Sequence, residues 1–556
     1  MQSSALNAPA ATAAPADRPA HLPRLDSRPS PVTWVLFLGI LAAGLFFTAW
    51  SLNNDVHDSG VVMTTWVPYV LLGVALLIAL GFEFVNGFHD TANAVATVIY
   101  THSLPPNIAV VWSGFFNFLG VLVSSGAVAF GIIALLPVEL ILQVGSSAGF
   151  AMVFALLIAA IIWNLGTWWL GLPASSSHTL IGSIIGVGVA NALMHGRSGT
   201  SGVDWPQATK VGYSLLLSPL VGFGCAALLL LTLRAFVKNR ELYAEPKGNT
   251  PPPWWIRGLL ILTCTGVSFA HGSNDGQKGM GLIMLILVGT MPMAYALNRA
   301  MPEAQSVQFV AVAEQAKRVF DTTTFTTQDA AAAPAAASAP PAMAQARERL
   351  TAYVNHPEPN PALLPALSAT TASIANEVRT YGALNKLPAE AVNNVRNDMY
   401  LVSETLRKLG KEQPQLFNEQ GQREVKAYRD EIDSATKFIP LWVKIAVAIA
   451  LGLGTMVGWK RIVVTVGEKI GKTHMSYAQG ASAEVVAMIT IGAADMYGLP
   501  VSTTHVLSSG VAGAMVANGS GLQMATLRNL AMAWVLTLPA AMLLSGGLYW
   551  VFSHIF

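Results

Sequence analysis

The sequence predicts an all-α polytopic membrane protein: two inverted repeats with broken helices and hairpins, and a soluble helical insertion in the second. Three observations carry this. Of 556 residues, 53% are hydrophobic and only 11% charged, against about 25% charged in a soluble domain. Apolar runs near membrane-span length recur along the chain, many interrupted by Gly, Pro or polar residues, which is tolerated where backbone lines a protein cavity. And two pairs of segments repeat. GFEFVNGFHDTANAV (81–95) shares spacing with GVSFAHGSNDGQKGM (266–280), and GLPASSSHTLIGSIIGVGVAN (171–191) matches GLPVSTTHVLSSGVAGAMVAN (498–518) at ten of 21 positions.

In order, residues 1–31 are rich in Ala, Pro and Ser and read as a disordered tail. Residues 32–65 read as an extra amino-terminal span and loop. Arg18, Arg24 and Arg28 precede it, so its amino end belongs in the cytoplasm. Repeat 1 covers 66–233, a basic cytoplasmic connection 234–257, and the start of repeat 2 258–297. Residues 298–437 read as a water-exposed insertion with low complexity at Ala330 to Pro341, and 438–556 complete repeat 2. The spans number about 11–12 at about 20 residues each, with the hairpins near 172 and 499 as re-entrant candidates. The paired motifs lie 90 residues apart in the first half (81 to 171) and 232 in the second (266 to 498). The excess of 142 matches the 140-residue insertion, so the halves align without it. Five crossings in the first unit would invert the second, a design of transporters with a midplane site.

Net charge of +2 argues against a nucleic-acid partner, and Cys225 and Cys264, both in apolar runs, argue against a disulfide scaffold. Ionisable groups in an apolar run mark a substrate or ion path. On a helix Asn86, Asp90 and Asn93 share a face, and His271, Asp275 and Lys278 repeat that spacing beside Asn274. Ser175, Ser176 and Ser177 follow Pro173, as Ser502, Thr503 and Thr504 follow Pro500. Hydroxyls and backbone N–H groups at such helix starts form an anion cradle. Two facing cradles suit a tetrahedral oxyanion such as phosphate, with Asn93 and Asn274 beside it. Asp90 and Asp275 then carry a proton or a cation, since bare carboxylates repel phosphate. His89, Lys278, Asn86 and Glu484 complete this coupling set. The bland alternatives are helix-packing hydroxyls, a structural Asp90–Asp275–Lys278 group, and Glu484 and Asp495 facing a membrane edge. His178 and His505 read as capping or packing residues.

The segments NGFHDTANAVATVIYTHSLP, SFAHGSNDGQKGMGL, GEKIGKTHMSYAQG and both SSSH/STTH hairpins resemble the Pit family of inorganic phosphate transporters over roughly 66–297 and 438–556. The resemblance implies a homodimer of inverted-repeat protomers in a bacterial inner membrane, with no cofactor. It implies cotransport of phosphate with a cation, the anion travelling as a neutral complex with a divalent metal such as Mg²⁺. In the sodium-coupled branch both signatures read close to GANDVANA; here they read GFHDTANA and GSNDGQKG, with His89 and Lys278 in place of asparagines. This departure favours protons over sodium: the Lys278 ammonium stands where sodium would sit, and the imidazole of His89 suits a proton relay. Sodium symport is the alternative. An intramembrane aspartyl hydrolase using Asp90 and Asp275, and an anion channel, are the rivals from other classes.

Overall fold

The computed structural model describes residues 23, 25, 30–59, 67–90, 92–136, 141, 146–246, 248, 250–325, 342–355, 357–358 and 360–555. Among them every regular element is helical; one isolated bridge joins Gly471 and Leu522. The disordered-tail expectation and the low-complexity stretch fall almost wholly outside the described residues. Among the described residues seven helices are long and apolar enough to cross a membrane. Of the remaining expected spans, the runs expected separately at 256–276 and 279–297 form one continuous helix, and others are short or polar. Leu441–Thr455 has 15 residues and Thr503–Asn518 has 16, while the 37-residue Trp254–Thr290 carries His271, Asp275 and Lys278 at its middle. Polar site residues and half-length helices thus lower the number that passes on apolarity alone.

The extra amino-terminal span is the helix Pro31–Asp58, capped by Ser30, whose Oγ accepts from Thr33 N–H. Most of its large apolar side chains are exposed, as suits a lipid-facing helix. It is pinned at its far end, where Asp55 accepts from Tyr295 Oη at 2.7 Å and Trp442 Nε1 at 2.8 Å.

The two halves are interlocked. The helix Val67–Asp90 packs on Leu441–Thr455 of the second half, and Trp254–Thr290 packs on Pro106–Val123 of the first. Matching glycines allow both approaches: a Cβ on Gly87 would lie 2.4 Å from the Leu451 carbonyl oxygen, and one on Gly272 2.2 Å from that of Asn117. The swap recurs with the signature helices. Ser176–Met194 packs on Met524–Phe552, and Thr503–Asn518 on Trp205–Phe236. Each half therefore supplies the packing partner that the other needs to bury its helix faces.

The halves also run in opposite directions. Tyr100, at the end of the first signature region, donates to Glu468 at 2.5 Å, and Ser103 accepts from Arg257 Nε at 2.8 Å. The first signature region thus ends where the helix Trp254–Thr290 begins. That face also gathers 234–257 and 460–474, since Tyr243 and Glu245 bond to Asn518 and His474. The opposite face holds Asp55, Tyr295, Asp204 and the insertion. There Glu303–Thr322, Met343–Asn355, Leu363–Tyr381, Ala389–Glu412 and Glu419–Thr436 enclose a core of their own around Phe309, Leu367, Met399, Val402 and Tyr428. Arg407 and Lys408 tie it to Asp204 at 3.2 and 3.3 Å.

Candidate functional site

The repeated Gly-Leu-Pro segments build twin helix starts. Gly171 and Gly498 take φ of +66° and +62°, a left-handed turn open to glycine at no steric cost. It ends the preceding helix and turns the chain into the Pro-led segment. Ser175 and Ser502 are the N-caps: each Oγ accepts from the N–H three residues on, of His178 and of His505, at 3.2 Å in both. The prolines are held alike, with the Pro173 carbonyl accepting from Trp534 Nε1 at 3.0 Å and that of Pro500 from Ser214 Oγ at 3.1 Å. The twin starts face each other inside the protein, and the His178 and His505 rings lie 4.6 Å apart between centroids.

Both starts aim at one carboxylate. Asp90 ends the helix Val67–Asp90 and is buried. It accepts from Ser176 Oγ of the first hairpin at 2.5 Å, from Thr504 Oγ1 of the second at 2.8 Å, and from His89 Nδ1 at 2.9 Å. The other ring nitrogen of His89 meets Thr167 Oγ1 at 3.1 Å. Ser177 donates instead to the Val501 carbonyl at 2.9 Å, while Thr503 Oγ1 is buried with no hydrogen-bond partner.

The second acid lies in the middle of Trp254–Thr290. Asp275 Oδ2 is 2.6 Å from Lys278 Nζ, both fully buried, and 3.5 Å from His271 Nε2. His271 donates from Nδ1 to Asn117 Oδ1 at 2.8 Å, which orients the ring so that Nε2 faces the acids. One ligand atom each from Asp90, His271 and Asp275 lie within 4.8 Å of one another, close enough to share a cation. Asn86 donates to Glu83 at 3.4 Å, and Glu83 is wedged where a side chain on Gly279 would otherwise sit. Asn274 clasps the second hairpin, donating to the Leu499 carbonyl at 3.1 Å and accepting from Val501 N–H at 3.4 Å.

Twelve of the fourteen residues expected from sequence therefore occupy, or directly brace, one buried polar centre. Asn93 is the second residue of the helix Ala92–Tyr100, but its side chain lies outside the described residues. Glu484 is elsewhere: it accepts from the Thr263 hydroxyl, twelve residues or about 18 Å along the helix from Asp275. Asp495 comes closer to the centre than Glu484. It accepts from Ser273 Oγ and Gln277 Nε2, both at 2.6 Å. Sequence reasoning passed over Ser273, Gln277, Asn117 and Thr167. Ser273 and Gln277 lie inside the second signature and were open to notice; Asn117 and Thr167 sit in apolar helices where no local pattern marks them.

Residues 86–545 match the phosphate transporter family. The chain belongs to that family. The match begins at Asn86 and takes in every residue of the polar centre except Glu83. Similar proteins include the low-affinity inorganic phosphate transporter PitA of Escherichia coli (strain K12), 44% identical over 492 residues, which are 87% of this chain and 96% of that protein. Another is the low-affinity inorganic phosphate transporter of Buchnera aphidicola subsp. Acyrthosiphon pisum (strain APS), 39% identical over 496 residues, 87% of this chain and 96% of that protein. A solved structure, the sodium-dependent phosphate transporter, covers 88% of this chain and 100% of its own at 20% identity and a TM-score of 0.46.

Proposed function

We propose that this member of the family is a secondary active transporter of inorganic phosphate in a bacterial inner membrane, driven by protons through alternating access, and not an enzyme. The observation that carries the reading is the convergence of Ser176 and Thr504, from the two hairpins, on Asp90. Hydroxyls that grip a carboxylate in the resting protein are the donors an arriving oxyanion needs, at helix starts whose dipoles favour negative charge. Phosphate, rich in acceptors, competes for those donors and releases Asp90 to take a proton or cation. A divalent metal carried as cargo with phosphate lowers the charge to be desolvated, and Asp90 and His271 are the donors left to meet it, since Asp275 is paired with Lys278.

Two features favour protons over sodium. Lys278 already sets a fixed positive charge on Asp275. Thr167 directs its hydroxyl to the Trp163 carbonyl at 3.0 Å, so both ring nitrogens of His89 face acceptors and a doubly protonated imidazole satisfies them. The positive-inside rule assigns the face holding 234–257 and 460–472 to the cytoplasm, and the insertion then projects outside. The same reading includes a homodimer, which mass measurement in detergent tests.

The deciding experiment is uptake of labelled phosphate into proteoliposomes with proton, sodium and magnesium gradients varied one at a time. Uphill accumulation that survives removal of sodium and collapses with a protonophore supports the reading. Sodium-dependent uptake overturns proton coupling, and the absence of uphill accumulation overturns active transport in favour of a channel.

A further inference from the structure

Between the insertion and the membrane-spanning helices lies a cavity of about 640 Å³, separate from the Asp90 centre. Five cations line it, Lys210, Arg396, Arg407, Lys411 and Lys437, against two acids, Glu404 and Asp433. The acids are already engaged. Arg407 is held by Glu404 at 2.7 Å and by Asp204 at 3.2 Å, and Lys437 by Asp433 at 2.9 Å. Among the described residues no carboxylate lies within ion-pair distance of Lys210, Arg396 or Lys411. Arg396 is half-buried; it donates to Asn397 Oδ1 at 3.1 Å and stacks its guanidinium over the Tyr400 ring at 5.5 Å.

Gathering like charges around a shared cavity is unfavourable unless an anion joins them. Burial pulls the Arg396 guanidinium below its ordinary pKa, and burial, then Arg407 and Lys210, pull Lys411 the same way. The opposite wall is apolar, with Phe130, Ile133, Met284 and Val288. Met496, Tyr497 and Gly498 line the cavity directly before the second hairpin, and Gln207 ties the Gly131 carbonyl beside them at 3.0 Å.

We propose that this cavity is a second anion site, taking a phosphoryl group on Arg396, Lys411 and Lys210 beside the Gly498 turn. The guanidinium fork and two ammonium groups match the acceptor-rich, multiply charged phosphoryl group. Free phosphate and the headgroup of an anionic phospholipid share that chemistry; the apolar wall suits a lipid tail and the open cationic rim suits the free ion. An anion here bridges the insertion to the start of the second hairpin and sets how readily that hairpin moves. The site goes beyond the transport reading, because its binding is measured on the resting protein.

The test uses the full-length protein and the variants Arg396→Gln, Lys411→Gln and their double. Equilibrium dialysis measures labelled inorganic phosphate bound per chain, and uptake is compared in phosphatidylcholine vesicles with and without phosphatidylglycerol. If the ligand is free phosphate, wild type binds two per chain and the double variant one, in neutral lipid. If the ligand is a lipid, both bind one, and phosphatidylglycerol changes wild-type uptake several-fold while the double variant loses that response. Equal stoichiometry together with an equal lipid response overturns the site. Lys411 is exposed and unpaired, so Lys411→Gln leaves folding intact and shows part of either effect alone; Arg396→Lys restores part of it.

Discussion

The two halves of this protein share a scaffold and differ in what they place on it. At matched positions the first half has His89, Asp90 and Asn93, and the second has Asn274, Asp275 and Lys278. Asp90 collects hydroxyl donors from both hairpins, whereas Asp275 faces a fixed ammonium at 2.6 Å. A second contrast lies two residues before each acid. Phe88 meets Trp168 edge-on at 5.2 Å, and Arg461 covers Trp168 and Trp169 at 5.2 and 4.6 Å. Their counterparts, Ser273 and Asp495, are joined by a hydrogen bond at 2.6 Å. One end of the centre is sealed by aromatic packing, the other by polar bonds that water can replace. The two equivalent frames therefore differ in their acids: one is held by neutral hydroxyls and the other by a buried ammonium.

That contrast can be broken directly. The largest effect is expected from Asp90→Asn, which removes the carboxylate that both hairpins share; coupled uptake in proteoliposomes should fall to background while the protein still assembles. Retention of normal uptake would remove Asp90 from the mechanism.

Lys278→Asn gives the second half the residue of the first. It leaves Asp275 buried without its cation, a change worth about 3–5 kcal/mol of stability. It also opens a place for sodium. Thermal unfolding should shift downward, and residual uptake should become sodium-dependent. If uptake stays sodium-independent, the ammonium is not standing in for that ion.

Smaller effects separate the hydroxyls. Ser176→Ala and Thr504→Ala each remove a donor to Asp90 and should weaken phosphate binding by about 1–3 kcal/mol. Ser177→Ala removes a hydroxyl that serves the Val501 carbonyl and should cost less phosphate affinity. Equal losses at all three, measured by equilibrium binding, would mean that the carboxylate contact does not mark the substrate donors.

The smallest effects are expected at the two seals. Trp168→Ala should loosen the aromatic end and Asp495→Asn the polar end, each changing the phosphate KM by a few-fold. Cysteine-accessibility labelling from either side should move in opposite directions for the two variants. Labelling that moves the same way in both would show that the seals do not belong to opposite ends of the path.

Much of this was legible in the chain. The duplicated Gly-Leu-Pro hairpins and the excess spacing pointed to two units before any coordinate was known, and polar residues in apolar runs named most of the centre. Glu484 shows the limit. A buried acid reads as part of the path, but its partner is Thr263, toward the opposite end of a long helix. Asp495 gave the same local signal and lies beside the second signature through Ser273 and Gln277. Nothing in the flanking residues distinguishes these two acids, because the distinction is which neighbouring helix each one faces.

The sequence by itself determined the membrane class, the repeat, the paired helix starts after Pro173 and Pro500 and the identity of the paired acids. Those follow from composition, spacing and local backbone chemistry, which act within a few residues of each position. Only the tertiary structure decided that both hairpins serve Asp90, that Lys278 is spent on Asp275, and that the insertion lies on the face opposite the basic connections. These depend on which helices cross and at what depth, set by the exchange of packing partners between the halves and by close backbone contacts such as those at Gly87 and Gly272.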